Sequence, residues 1–395
     1  MLKTILIITS IVSVLVAQSA EDFKNQQMQN FNQDKKQFTA YKKSQEENFN
    51  TYQEEQDKAF KDYKKEIGVF WQDPKTSTKK TWVSYTDDKK TRTDVDFEKE
   101  TITVETIALS QEEAKEKLKI ALAKVVTVDT KTVQETDPLE KKLQKIKKPF
   151  GVLSDDVKSE PILSTIIFKN KATKANVKAY VNKHVQKDNI KATNSEKINN
   201  AKVYSLNISL PKDTMIKRSK VYYDEVKKQA SKQNLPMSLV FSVMHTESSF
   251  NPRARSHVPA YGLMQIVPRT AGIDSYRYLY NKQKLVSGSY LYNSTNNIKM
   301  GAAYLHILYY KYLKDIKNPD SRLYCTIAAY NTGAGNIAWA FTKKYNMKLA
   351  APLINARSPK EVYNKLLRDL RYDEPKNYLK KVSKRMSSYY KLYGS

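Results

Sequence analysis

Hydrophobic and polar positions change their spacing twice along this 395-residue chain, and each change marks a different kind of structure. Between residues 21 and 66, aromatic pairs recur in a highly charged background: Phe38 and Tyr41, Phe49 and Tyr52, Phe60 and Tyr63 follow one another at an interval of eleven. Eleven residues make close to three helical turns, so the pattern predicts one long amphipathic helix with a narrow aromatic stripe. Phe23 and Phe31 extend that stripe less regularly. Such a helix either covers its own domain or forms a stalk for interaction and self-association, and the sequence leaves both readings open.

From residue 67 the spacing shortens. Trp71-Gln72-Asp73-Pro74 breaks the helix, and segments 81–85, 93–97 and 101–107 alternate with the period of two expected of strands. Ser110 and Glu113 make a capping box for a helix whose stripe includes Ala114, Leu118 and Leu122. Asp137-Pro138 reads as the N-cap and first residue of a second helix, through Lys147. Segments 165–168 and 203–210 read as extended and complete a small α+β domain over 67–212. After Pro211 the helical period returns, at 220–232, 235–247, 298–313, 321–330, 359–370 and 378–392. The predicted fold class is α+β: an all-helical domain over 213–395, preceded by the small α+β domain and the long N-terminal amphipathic helix.

The N-terminus modifies this picture. Met1-Leu2-Lys3, an apolar run from Thr4 to Ala17 and small residues at Ser19 and Ala20 have the layout of a secretory signal peptide over 1–20. A buried helix or membrane anchor is the other reading, but the run is shorter than the roughly 20 apolar residues that span a bilayer. Cys325 is the only cysteine, which excludes an internal disulfide framework and a multi-cysteine metal site. It also leaves no cysteine near the signal for lipidation. The expected location is the periplasm, with association to the outer membrane left open.

The formal charge of +28 is spread along the chain. No zinc-finger, RNP or helix-turn-helix signature accompanies it, so nucleic acid is not an expected partner. An anionic envelope polymer or membrane surface fits better, with part of the excess being ordinary solvated surface.

One carboxyl stands out. Glu247 ends an apolar helix containing Leu239, Val240, Val243 and Met244 and is followed by Phe250, so it is expected to be partly desolvated. Desolvation raises a carboxyl pKa and keeps a proton available for a leaving glycosidic oxygen. Around it lie Glu247-Ser248-Ser249-Phe250-Asn251-Pro252, Tyr261-Gly262-Leu263-Met264-Gln265, Gly301-Ala302-Ala303-Tyr304-Leu305, Ala329-Tyr330-Asn331-Thr332-Gly333 and Glu374-Pro375-Lys376-Asn377-Tyr378. This ordered set resembles the soluble lytic transglycosylase type of lysozyme-like domain over roughly 213–392. Trp82-Val83-Ser84-Tyr85, Arg92, Val95-Asp96-Phe97 and Val104-Glu105-Thr106-Ile107 are similar to the companion domain of the membrane-bound lytic murein transglycosylase C family.

The resemblance implies a cell-wall enzyme acting on peptidoglycan glycan strands, with Glu247 as sole acid/base. It places Ser256, Met264, Gln265, Tyr330, Asn331, Glu374 and Tyr378 along the substrate cleft. It implies non-hydrolytic cleavage of the MurNAc-β-1,4-GlcNAc bond to 1,6-anhydro-MurNAc ends, without metal or cofactor. His245 and His257 read as surface or packing residues. Two departures stand against the family pattern: Pro375 replaces a hydroxyl residue, and the lipidated cysteine is missing. A goose-type-lysozyme-like hydrolase and a non-catalytic peptidoglycan-binding or scaffold protein are the alternatives. Asp274, the next acidic residue after Glu247, reads as structural.

Overall fold

A computed structural model of the chain describes residues 47–169, 171–256 and 259–394, with isolated positions before residue 47. The signal-like segment, the pair Phe38 and Tyr41, and His257 lie outside the described residues. The chain divides into two units: residues to Lys58 with Ile146–Phe150, and Ala59–Lys145 with Gly151 onward. In the first, Phe49 and Tyr52 are buried, with ring centroids 6.1 Å apart. In the second unit, helix α1 covers residues 59–68.

The second unit holds a five-stranded antiparallel sheet in the order β1-β2-β3-β5-β4. Its strands are β1 (Thr81–Tyr85), β2 (Thr91–Asp96), β3 (Thr101–Ala108), β4 (Ile190–Asn194) and β5 (Lys202–Ser209). Register pairs Trp82 with Val95, Val95 with Ile102, and Ile102 with Ile208, which puts these apolar side chains on one face. Helix α2 (Gln111–Thr127) packs Ala114, Leu118, Leu122 and Val125 into the same core. Ser110 caps it through the backbone of Glu113, and the Glu113 carboxylate accepts from the Leu109 N–H. The opposite face presents Val83, Tyr85 and Ile107 to Tyr63 and Ile67 of α1 and to Trp71. Here the end of the aromatic helix covers the sheet.

Short helices border the sheet: α3 (Thr130–Thr136), α4 (Pro138–Gln144), α5 (Ser164–Ile167) and α6 (Lys174–His184). The 165–168 segment is thus helical rather than extended. Leu163, Ile166 and Phe168 are drawn into the core beneath α2, and that packing overrides the strand preference of Thr-Ile-Ile-Phe. Strand β4 escaped the pattern reading because it is an exposed edge strand with almost no apolar side to alternate.

The remaining helices are α7 (Thr214–Val221), α8 (Tyr223–Gln233), α9 (Met237–Ser248), α10 (Ile273–Tyr280), α11 (Gly288–Tyr292), α12 (Ser294–Ile307), α13 (Pro319–Thr332), α14 (Ala334–Thr342), α15 (Met347–Asn355), α16 (Pro359–Asp369) and α17 (Asp373–Tyr393). Helix α9 is buried nearly all round: Leu239, Val240, Phe241, Val243 and Met244 have no exposure. It is apolar on every side because α8 and α17 pack against it.

The sheet and the helices meet at the end of α9. Lys80 donates to the His245 carbonyl and to Ser249 Oγ, each at 2.9 Å. Arg218 bridges the Ser249 carbonyl (2.6 Å) and the Phe97 carbonyl (2.7 Å). Asn251 Nδ2 donates to the carbonyls of Lys79 and Thr81. Arg253, almost wholly buried, donates to Gln134 and pairs with Glu140, while its guanidinium lies 3.9 Å from the Tyr292 ring centroid.

Removing one partner of a buried ion pair costs about 3–5 kcal/mol because the other charge stays desolvated. Arg253→Met is therefore expected to lower stability by about 3 kcal/mol, read as a fall in the unfolding midpoint in denaturant.

Candidate active site

Glu247 occupies the last turn of α9, with its side chain buried at 6% exposure. The helix stops there because Ser249 and Phe250 both take positive φ, 50° and 60°. Ser248 fixes the end, its Oγ donating to the carbonyls of Met244 and Leu263. Burial pushes the Glu247 carboxyl above the ordinary range, and Glu374 pushes the same way; Lys79, Tyr378 and Lys80 oppose it. Burial wins. The acid is held protonated to a higher pH than a solvated glutamate.

Two tyrosines face this carboxyl. Tyr378 of α17 interacts with it, and burial followed by the charge of Glu247 drives the phenol pKa far up. The Tyr378 hydroxyl is buried, and no hydrogen bond of ordinary geometry joins it to the carboxyl. Tyr330 of α13 is raised for the same two reasons. Its hydroxyl donates to the Met264 carbonyl at 2.9 Å, and its ring meets Tyr304 edge-on at 5.5 Å. Both phenols stay neutral and can only donate or accept hydrogen bonds.

The Tyr261–Ile266 turn is built from below. Asn297, fully buried on α12, donates to the carbonyls of Tyr261 (2.7 Å) and Leu291 (2.8 Å) and accepts from the Met264 N–H (2.8 Å). Gly262 has φ +74°, and a Cβ there would stand 2.4 Å from Asn297 Nδ2 and 2.5 Å from the Leu291 carbonyl. Only glycine meets both demands. Met264 has no exposed surface, and its sulfur packs where a Cβ on Gly301 would stand. Its contribution to the site is thus the carbonyl that holds Tyr330. Gln265 donates from Nε2 to the Gly262 carbonyl at 3.0 Å and leaves its buried Oε1 unpartnered.

Around the rim, Asn331 Nδ2 donates to Glu374 Oε1 at 3.3 Å, and Lys79 Nζ stands 3.7 Å from the same oxygen. Glu374 and Tyr378 flank Pro375, which is accommodated in the first turn of α17 where no intrahelical N–H is needed. Ser256 sits at the edge of a small ladder: its N–H donates to the Ala260 carbonyl and its Oγ accepts from the Ala260 N–H. The structure gathers Glu247, Tyr330, Asn331, Glu374 and Tyr378 into one cluster, with the Gly262–Gln265 turn joined to it through Tyr330. Asp274 is engaged elsewhere, accepting from Tyr312 at 2.7 Å and from Arg277 at 3.2 Å.

Among the described residues no group of three or more His, Cys, Asp or Glu side chains could hold a metal ion. Among those residues, too, no helix is long and apolar enough to cross a membrane. A largely apolar cavity of about 380 Å³ lies between β1, β2 and α2, lined by Trp82, Thr93, Val125 and Val133 but by neither Glu247 nor any residue expected along the substrate cleft.

Residues 224–351 match the family described as Transglycosylase SLT domain. Together with the helical fold around α9, this defines a lysozyme-like domain of the soluble lytic transglycosylase class. Residues 31–221 match a second family, described as Membrane-bound lytic murein transglycosylase C, N-terminal domain. The chain belongs to the membrane-bound lytic murein transglycosylase C family. It is 36% identical to the protein of that name from Klebsiella pneumoniae subsp. pneumoniae over 312 residues, which cover 78% of this chain and 82% of the relative. Its counterpart from Serratia proteamaculans is 35% identical with the same coverage. The 70 kDa soluble lytic transglycosylase from Escherichia coli aligns with 46% of this chain and 26% of its own, at 24% identity and a TM-score of 0.36.

Two positions from Glu247, His245 packs against Phe250 and meets Tyr389 Oη at 3.1 Å. Burial, then Arg385, Lys80 and Arg218, hold its imidazole well below the ordinary value of 6.5. The folded protein keeps His245 neutral, so below pH 6.5 only the unfolded chain gains this proton, and stability falls with pH. His245 should contribute a slope approaching about 1.4 kcal/mol per pH unit below 6.5. Denaturant unfolding between pH 6.5 and 5 should show that slope reduced by His245→Gln.

Proposed function

We propose that Glu247 is the single acid and base of a lytic murein transglycosylase that cuts the β-1,4 bond between N-acetylmuramic acid and N-acetylglucosamine. The observation that carries this reading is the state of one carboxyl: Glu247 is buried at the end of an apolar helix, raised by desolvation, and faced by two neutral tyrosines. A protonated carboxylic acid at neutral pH is what departure of a glycosidic oxygen requires.

The reaction runs in two proton transfers. Glu247 protonates the bridging oxygen as the C1–O bond breaks and C1 gains oxocarbenium character. The C6 hydroxyl of the same muramyl residue then bonds to C1 and yields its proton to the Glu247 carboxylate. The products are a 1,6-anhydro end and a free hydroxyl on the neighbouring sugar, and Glu247 is protonated again. No water is consumed. The carboxylate facing Glu247 is Glu374, exposed and already engaged by Asn331 and Lys79, which suits it to shaping the rim rather than activating water.

The other residues divide the work of binding. Tyr330 and Tyr378 offer apolar ring faces and neutral hydroxyls beside the scissile bond. The unpartnered Gln265 Oε1 is an acceptor for a sugar hydroxyl or N-acetyl N–H, and Asn331 and Ser256 supply further directional bonds. The signal-like N-terminus and basic surface are consistent with work in the periplasm, against an anionic wall or membrane face.

Digestion of purified sacculi, with the soluble muropeptides resolved by mass, tests the reading. Anhydro ends are expected from the wild type, and Glu247→Gln should reduce release by at least about 10³-fold. Reducing ends would identify a hydrolase, and release by Glu247→Gln would remove Glu247 from its role.

A further inference from the structure

The segment leading into β1 belongs to the sheet domain by sequence, yet it enters the neighbourhood of Glu247. Its backbone is fixed from the helical side: Asn251 Nδ2 donates to the carbonyls of Lys79 and Thr81, and the Arg255 N–H to that of Thr78. Lys79 and Lys80 then point to different tasks. Lys80 is half-buried and caps the end of α9 at the His245 carbonyl and Ser249 Oγ. Lys79 reaches outward to Glu374 Oε1, the same carboxylate oxygen that accepts from Asn331.

We propose that Lys79 is a positioning residue of the active site, a cation delivered by the companion domain that stabilises the Glu247 carboxylate left after the first proton transfer. The inference rests on the role given to Glu247 above. Its geometric basis is the pinned 78–81 backbone, the Lys79–Glu374–Asn331 chain at the rim, and the burial of the carboxyl behind it. An exposed Lys79–Glu374 pair contributes little to stability by itself. With a glycan strand in the cleft, water is displaced and the same ammonium acts through a lower effective dielectric.

The charged and titratable groups that bias Glu247 most can be placed. Lys79 and Lys80 come from the segment before β1; Glu374 and Tyr378 from α17; Tyr330 from α13. Lys80 is in turn faced by Glu98, Arg385 and Lys381. After desolvation, Lys79 is the strongest influence on the Glu247 carboxyl and the strongest that favours its ionised form. Removing that charge raises the Glu247 pKa. The protonated enzyme therefore persists to higher pH, and the alkaline limb of kcat/KM moves up.

The test uses the full-length chain, soluble uncrosslinked glycan strands, and anhydro-end formation followed across pH. Lys79→Met and Lys79→Gln, each checked for an unchanged unfolding midpoint, should move the alkaline limb upward by about half a pH unit. Lys79→Arg should restore the wild-type limb. Neutral variants with the wild-type profile, or an arginine variant that moves as far as methionine, would overturn the inference. The Glu247→Gln variant separates the two claims: if it is inactive while the Lys79 profiles coincide, only the role of Lys79 falls. If it remains active, both fall.

Discussion

A carboxyl group at the end of a buried helix faces an electrostatic problem from two directions. The last carbonyls of α9 carry the negative end of the helix dipole, and ionising Glu247 adds a full negative charge beside them. The surrounding structure answers with cations that bond those carbonyls directly: Lys80 at His245, and Arg218 at Ser249. Each has a second attachment, at Ser249 Oγ and the Phe97 carbonyl, so satisfying the helix end also fixes the sheet against it. One set of bonds thus joins the two cores and sets the field at the Glu247 carboxyl.

That field is a balance rather than a maximum. Full burial with no cation nearby would leave a good proton donor that could not readily become a carboxylate. Generous solvation would leave a carboxylate with nothing to donate. Glu247 lies between these limits, lifted by desolvation and restrained by lysines from the neighbouring domain. The role proposed for Glu247, giving a proton and then taking one back, requires such an intermediate setting. The neutral tyrosines contribute by adding no charge of their own.

The strands read at 81–85 and 203–210 were legible because their side chains alternate, Trp82, Tyr204, Leu206 and Ile208 into the core shared with α2, and Val83 and Tyr85 against α1 and Trp71. Helix α9 was legible because it is apolar on all sides and then ends abruptly at Glu247. The edge strand β4 and helix α6 were not, since each buries at most one residue and carries little pattern. Within the motifs, position misled in instructive ways. Met264 sits in a cleft motif but spends its side chain on packing against Gly301. Asn251 and Arg253, next to the acid, fasten domains together. Lys79 could not be distinguished among 69 basic residues, because its importance arises from where a contact 172 residues away pins its backbone.

Those long separations bear on when the enzyme becomes competent during its own synthesis. The acid is encoded near the middle of the chain, Lys80 lies 165 residues before the carbonyl it caps, and Tyr389 lies 144 residues after the histidine it contacts. A growing polypeptide that has just completed α9 has no Tyr330, Glu374 or Tyr378 to face the carboxyl and no α17 to keep water away from it. The centre proposed around Glu247 is therefore incomplete on any chain that stops before α17. On the role proposed for Glu247, a copy still in synthesis lacks the α17 groups that set its carboxyl for both proton transfers.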